Sequence, residues 1–185
     1  TPENDDVGEH WVTLRATDTT GKISDQTFKI TVVNTNDTPV LTSVPITSAA
    51  EGQSYTYVFS SFDPDIGDKL TLSVVEKPNW LSFNANTGVL SGEPQNQDVG
   101  QNSVKLRAQD SFGSFVDQQF IINVKNENQA PSIISSPLTT IPQGSQYNYT
   151  ITASDPDQGD TVTYSQVKLP SWLSFNANLR ALYGT

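Results

Sequence analysis

The sequence predicts an all-β chain built from tandem Greek-key β-sandwich repeats of about 92 residues, and three observations predict it. The string Trp80-Leu81-Ser82-Phe83-Asn84-Ala85-Asn86 recurs letter for letter from Trp172 to Asn178, 92 residues on. Self-similarity at a fixed spacing marks a repeat architecture. Apolar residues alternate at period two along Tyr55-Tyr57-Phe59, Leu70-Leu72-Val74, Val104-Leu106-Ala108 and Phe120-Ile122-Val124, the spacing of half-buried strands. No segment carries a helical stripe.

The same offset orders the rest of the chain. Asp63-Pro64-Asp65 with Gly67-Asp68 returns as Asp155-Pro156-Asp157 with Gly159-Asp160, and Tyr55 and Tyr57 return as Tyr147 and Tyr149. In the other direction Asp6-Val7-Gly8 maps onto Asp98-Val99-Gly100, and Leu14-Arg15-Ala16 with Asp18 onto Leu106-Arg107-Ala108 with Asp110. Asn34, Asn36 and Pro39 land on Asn126, Asn128 and Pro131. Residues 38–129 therefore read as one complete repeat, 1–37 as the second half of a repeat and 130–185 as the first half of another. Turn signals at 63–67, 86–88 and 110–113 separate the strands. About seven short strands per repeat suggest an immunoglobulin-like sandwich. Pro39 and Pro131 open their repeats where a proline suits an edge strand. One local change stands out: Leu179-Arg180 replaces Thr87-Gly88, removing a turn glycine, so the last hairpin is expected to be irregular.

A half repeat cannot bury its own apolar face. The expectation is that residues 130–185 of one molecule pair with 1–37 of the next, so that Asp18 meets Asp155 and Asp157 of its neighbour. With no initiator Met and no leader, the chain reads as an excerpt of a longer protein.

Twenty acidic residues against ten Lys and Arg give a net charge of -10, which disfavours nucleic acid and anionic membrane as partners. The absence of Cys removes disulfides, thiolate metal sites and a cysteine nucleophile. Stabilisation then falls on the core or on bound metal. No apolar run is long enough to span a membrane.

The acids collect in the repeated loops. Asp63, Asp65 and Asp68 fall within six positions, with Pro64 limiting the backbone and Gly67 permitting a tight turn. In extended chain, residues i and i+2 point the same way, so Asp63 and Asp65 can converge. A hard cation with six to eight oxygen ligands explains such clustering. A solvated Asx turn is the simpler alternative; two copies, each one linker from Asn-x-Asn, favour the cation.

These motifs resemble the cadherin superfamily, and most closely its bacterial and dystroglycan-type cadherin-like repeats. The Asp-x-Asp-x-Gly pattern is met by Asp63–Gly67 and Asp155–Gly159, and the Ala-x-Asp pattern by Ala16-Thr17-Asp18 and Ala108-Gln109-Asp110. Asn34-Thr35-Asn36-Asp37-Thr38-Pro39 resembles the inter-repeat linker, as, more loosely, does Asn126–Pro131. The resemblance implies Ca2+ at each junction between repeats. It implies ligands Asn34, Asn36, Asp37, Asp63, Asp65 and Asp110 at the first junction, and Glu51, Asp98, Asn126, Asn128, Asp155 and Asp157 at the second. Asp18 sits at the top of the first half repeat without its partners in the chain. Asp68 and Asp160 occupy positions where the family places a neutral Asn. Gln129 stands where an acid is usual and Gln143 replaces the glutamate seen at Glu51, so the second junction is expected to bind more weakly.

Catalysis finds little support. His10 is the only histidine, its counterpart is Asn102, and carboxylates repeated beside every linker do not form a unique catalytic pair. Trp80 and Trp172, in identical contexts, read as core packing, whereas Trp11 aligns with Ser103 and reads as a contact residue. Asn36-Asp37-Thr38 and Asn148-Tyr149-Thr150 match the glycosylation triplet, which arises often by chance in such sequence. The expectation is a non-enzymatic, Ca2+-rigidified adhesion module of an extracellular or cell-surface protein, making homophilic or cell-surface contacts with like repeats in cis or trans. A carbohydrate-binding module of a secreted polysaccharide-processing enzyme and a passive spacer are the alternatives; nucleic acid is not expected as a partner.

Overall fold

The alternating segments become the strands of the computed structural model, which describes residues 1–185. β1 (Gly8–Thr17) and β2 (Ile23–Val32) come first, as an antiparallel hairpin. Then follow β3 (Val40–Leu41), β4 (Ser48–Ala50), β5 (Tyr55–Val58), β6 (Ser61–Phe62), β7 (Thr71–Glu76), β8 (Leu81–Asn84), β9 (Val89–Gly92), β10 (Gly100–Gln109) and β11 (Phe115–Lys125). The last group is β12 (Ser132–Ile133), β13 (Tyr147–Thr150), β14 (Ala153–Ser154), β15 (Leu173–Asn176) and β16 (Ala181–Gly184). Short 3-10 turns at Asn4–Asp6 and Asn96–Asp98 lead into β1 and β10.

In β3–β11 one sheet runs β4-β11-β10-β7 and a second β5-β9-β8, with β3 paired to β6. The consecutive strands β9 and β10 lie in different sheets, the crossover of an immunoglobulin-like sandwich. Alternation decides what is buried. Val104, Leu106 and Ala108 of β10 and Phe120, Ile122 and Val124 of β11 meet Tyr55, Tyr57, Phe59, Leu81 and Leu90 in one core. Each large side chain removed from water there contributes about 1.5–3 kcal/mol. Tyr55 meets Trp80 edge to face at 5.8 Å, and the Trp80 indole N–H donates to Asn102 Oδ1 at 3.0 Å. Burial, with Tyr57 nearby, pushes the Tyr55 phenol up to about 12, and its hydroxyl donates to the Ile46 carbonyl.

The 92-residue offset is structural as well as textual. β1 and β2 pair in the register of β10 and β11, Gly8 opposite Val32 as Gly100 is opposite Val124. β13, β15 and β16 repeat the pairing of β5, β8 and β9, and Tyr147 meets Trp172 edge to face at 6.1 Å. Residues 140–142 and 163–168, the counterparts of β4 and β7, form no strand. β4 and β7 hydrogen-bond to β11 and β10, and nothing supplies that ladder to their counterparts. The β1–β2 hairpin likewise leaves its inward face uncovered: Leu14 is 55% and Ile30 48% exposed, while their counterparts Leu106 and Ile122 are fully buried.

The last hairpin is regular, against the expectation from Leu179-Arg180. Leu173 pairs with Gly184 as Leu81 does with Gly92, and the Ile151 N–H donates to the Arg180 carbonyl as that of Phe59 does to Gly88. Arg180 holds the turn itself, at φ 54, where Gly88 stands at φ 70. A non-glycine residue there costs about 1–2 kcal/mol, which the retained pairing offsets.

Candidate metal centre at the repeat junction

Four segments meet at the first junction: the turn before β1, the linker after β2, the loop after β6 and the β10–β11 turn. The linker is tied down by its own polar groups. The Asn36 side-chain amide donates to Asp110 Oδ2 at 2.9 Å, to Ser114 Oγ at 3.0 Å and to the Asp37 carbonyl. The Asp37 backbone N–H donates to Asp65 Oδ2 at 2.8 Å. From the turn before β1, the Asn4 amide donates to Asp37 Oδ2 at 2.8 Å and to the Pro64 carbonyl at 3.1 Å. Within the second loop the Asp65 N–H closes an Asx turn on Asp63 Oδ1, and Gly67 takes φ 88.

These bonds leave one oxygen of each group turned inward. Asn36 Oδ1, Asp63 Oδ2, Asp65 Oδ1 and Asp68 Oδ2 are all buried and have no hydrogen-bond partner. Asp65 and Asp110 are each only 5% exposed. Carboxylate oxygens of Asp63, Asp68 and Asp110 lie within 4.8 Å of one another. Unit charges at that separation repel by about 3–4 kcal/mol per pair in a surface-like dielectric, and an orphaned buried acceptor adds about 1–3 kcal/mol more. Burial pushes the Asp110 carboxyl upward, but the Asn36 amide and the N–H groups of Gly113, Phe112 and Ser114 together outweigh it and hold the group below its usual range. The junction is therefore left with three carboxylate oxygens and one amide oxygen that are buried and have no donor. That donor set fits a hard divalent cation.

The remaining expected residues fall as follows. Asn34 is exposed and lines the cleft beside Asp65, Asp68 and Asn4. Asp18 sits in the β1–β2 turn, its Oδ1 accepting from Thr20 N, Thr20 Oγ1 and Lys22 N; the Thr20 hydroxyl bond first, then the Lys22 amide, lower its pKa. Nothing at the first junction approaches it.

At the second junction Asp155, Asp157 and Asp160 bring carboxylate oxygens within 4.8 Å of one another. Glu51, 5% exposed, accepts from Gln129 Nε2 at 2.6 Å and from the Glu127 N–H at 3.4 Å. Asn128 donates only to the Gln129 carbonyl, and Asn126 is exposed. Asp98 Oδ2 caps the preceding 3-10 turn by accepting from the Gln95 N–H at 2.9 Å, as Asp6 Oδ2 does from Glu3, and Asp98 lies outside the close group of Asp155, Asp157 and Asp160. Two positions before Asp6 and Asp98, Asn4 and Asn96 reach the junctions with their side-chain amides. Their recurrence at the 92-residue offset was the available signal, as it was for Asp68, which the structure places inside the group.

Fold and site together define an immunoglobulin-like β-sandwich repeat protein whose repeats meet at acidic, oxygen-lined junctions. Residues 38–125 and 130–185 match the family described as "Putative Ig domain" (He_PIG), and the chain belongs to that family. The serine-rich adhesin for platelets of Staphylococcus aureus (strain USA300) is 27% identical over 137 residues, covering 70% of this chain and 6% of that protein. The chain thus spans a small fraction of the curated relatives it matches. Among solved structures, the PcdhgB3 EC1–4 fragment aligns with a TM-score of 0.65 at 18% identity, covering 95% of this chain and 47% of that one. Protocadherin Gamma B2 extracellular cadherin domains 3–6 align at 0.58 and 19% identity, covering 100% and 53%. These likenesses show a cadherin-like fold. No helix is long and apolar enough to cross a membrane.

Proposed function

We propose that the chain is a non-enzymatic, calcium-stiffened adhesion module of a longer extracellular or cell-surface protein. The observation that carries this reading is the set of buried oxygens without a partner, Asn36 Oδ1, Asp63 Oδ2, Asp65 Oδ1 and Asp68 Oδ2, at a junction where the carboxylates of Asp63, Asp68 and Asp110 lie within 4.8 Å of one another. Ca2+ held there would replace the missing donors and neutralise the repulsion. Because its ligands come from the linker and from two loops of the following repeat, the ion would fix the linker against the sandwich. Division of the chain into 1–37, 38–129 and 130–185 belongs to this reading, as does pairing between like repeats. The likeness to a platelet adhesin supports adhesion as the purpose.

Small-angle X-ray scattering in calcium and in chelator tests both parts. Calcium should narrow the distribution of interatomic distances to that of a stiffer rod, and the scattering mass should rise with protein concentration. Asp63→Ala combined with Asp65→Ala should remove the calcium response. Identical profiles with and without calcium contradict the stiffening. A monomer at every concentration contradicts the homophilic contact.

A further inference from the structure

The outward face of the β1–β2 hairpin carries a side chain that the fold does not require. Trp11 lies opposite Lys29, Thr13 opposite Thr27 and Arg15 opposite Asp25. Side chains alternate along a strand, so these point away from Val12, Leu14 and Ala16, whose counterparts Val104, Leu106 and Ala108 are buried. Trp11 is 72% exposed. That exposure belongs to the face itself. In the complete repeat the same register is held by Ser103 opposite Ile121, and with both sheets in place Ser103 is exposed and Ile121 43% exposed. The sandwich leaves this face to water, and one repeat sets an indole on it where the other has a hydroxyl. Exposed tryptophan works against solubility and suits a contact surface, with its large rigid apolar body and one N–H. The polar groups around the ring are already paired. Lys29 Nζ, 6.0 Å from the indole centroid, is bonded to Glu9. The Arg15 guanidinium makes two bonds to Asp25 at 2.7 Å, and the Thr13 and Thr27 hydroxyls share one at 2.9 Å. The indole is thus rimmed by donors and acceptors with no net charge.

We propose that Trp11 is the stacking platform of a glycan-binding face whose ligand is a neutral oligosaccharide. A pyranose ring has a face of C–H bonds that lies flat on an indole, and a rim of hydroxyls that both donate and accept. The rim matches Thr13 and Thr27, whose oxygens keep spare lone pairs, and the carboxylates and cations on either side of them. Side chains on this face recur about every 7 Å along the strand, so a chain laid along the hairpin sets one sugar on Trp11 and another over the threonine pair. Other partners fit less well. A peptide of one charge sign would have to break an ion pair to gain a contact. An anionic glycan or lipid surface would also meet a net charge of -10. A single ring is too small an apolar patch to hold a hydrophobic partner. The proposal rests on the adhesion reading above for its purpose and names a partner for it, and it needs neither calcium nor pairing between repeats.

Titration of the full chain in chelator with neutral hexasaccharides of glucose, mannose, galactose and N-acetylglucosamine, read by saturation-transfer NMR on the sugar, tests this. A hyaluronan hexasaccharide is the anionic control. Tyr183→Ala, which removes an exposed ring from a different sheet, is the protein control. At least one neutral sugar should bind through its ring protons. Trp11→Ala should weaken it by about ten-fold, the scale of one stacked ring, while Trp11→Tyr keeps most of the affinity and Tyr183→Ala keeps all of it. Trp11→Ala should also melt with wild type, because the side chain is on the surface. The proposal is overturned if no sugar of the panel binds, if Trp11→Ala binds as wild type does, or if hyaluronan binds as tightly as the neutral sugars. Self-association that Trp11→Ala abolishes, in a chain that binds no sugar, overturns it too and makes the face a contact between copies. Sugar binding with no calcium response in scattering removes the calcium reading alone, and the reverse removes only the glycan face.

Discussion

In saturating calcium the protein should melt well above its midpoint in chelator, and Asp63→Ala with Asp65→Ala should abolish the difference. A ligand at a hundred times its dissociation constant stabilises the native state by about 2.7 kcal/mol. For a sandwich of this size that corresponds to a shift on the order of 10 °C. The sign follows from the site. Asp63, Asp65 and Asp68 each hold a buried oxygen without a donor, so the native state without an ion carries both repulsion and unsatisfied acceptors. In chelator, therefore, the double variant should melt no lower than wild type, because truncation removes the repulsive charges. A chelated double variant that melts far below chelated wild type would mean that the aspartates brace the loops by their own hydrogen bonds and need no ion.

Gly92→Ala should unfold the sandwich or nearly so, whatever the calcium level. Gly92 lies in β9, between β5 and β8, and pairs with Tyr55 on one side and Leu81 on the other. A Cβ there would sit 2.0 Å from the Trp80 carbonyl oxygen and 3.1 Å from the Trp80 ring. The obstacle is backbone rather than a movable side-chain tip, so relief requires pushing apart β8 and β9 or expelling Trp80 from Tyr55. Overpacking of this kind costs about 1–3 kcal/mol where side chains can yield, and more where they cannot. We expect about 3 kcal/mol or more by urea denaturation. Ser82→Ala, on an exposed position of the adjacent strand, is the control and should stay within about 0.5 kcal/mol. Gly184 repeats the situation, its Cβ falling 2.1 Å from the Trp172 carbonyl oxygen.

These two expectations differ in how visible they are in the sequence. Strand register and core were legible because period-two alternation and the 92-residue offset are local and repeated, so Val104, Leu106 and Phe120 could be placed inward without coordinates. The acidic loops were legible for the same reason. The allocation of oxygens was not. Whether Asp65 Oδ1 is free depends on Asn4, some sixty residues away in sequence, and on what residue 37 offers it. The place of Asp98 in the repeat gave no sign that a 3-10 turn uses one of its carboxylate oxygens within three residues. Arg180 looked like a broken turn, yet pairing on both sides of β16 holds it in the left-handed region. In each case the deciding partner comes from the backbone geometry, and residue type alone does not carry it.

The most direct measurement is a crystal structure of the protein grown in millimolar calcium, with anomalous scattering used to identify the ion. The account requires an ion at about 2.3–2.6 Å from Asp63 Oδ2, Asp65 Oδ1, Asp68 Oδ2 and Asn36 Oδ1. Water alone among those four oxygens at that concentration, with the loops unchanged, would contradict it.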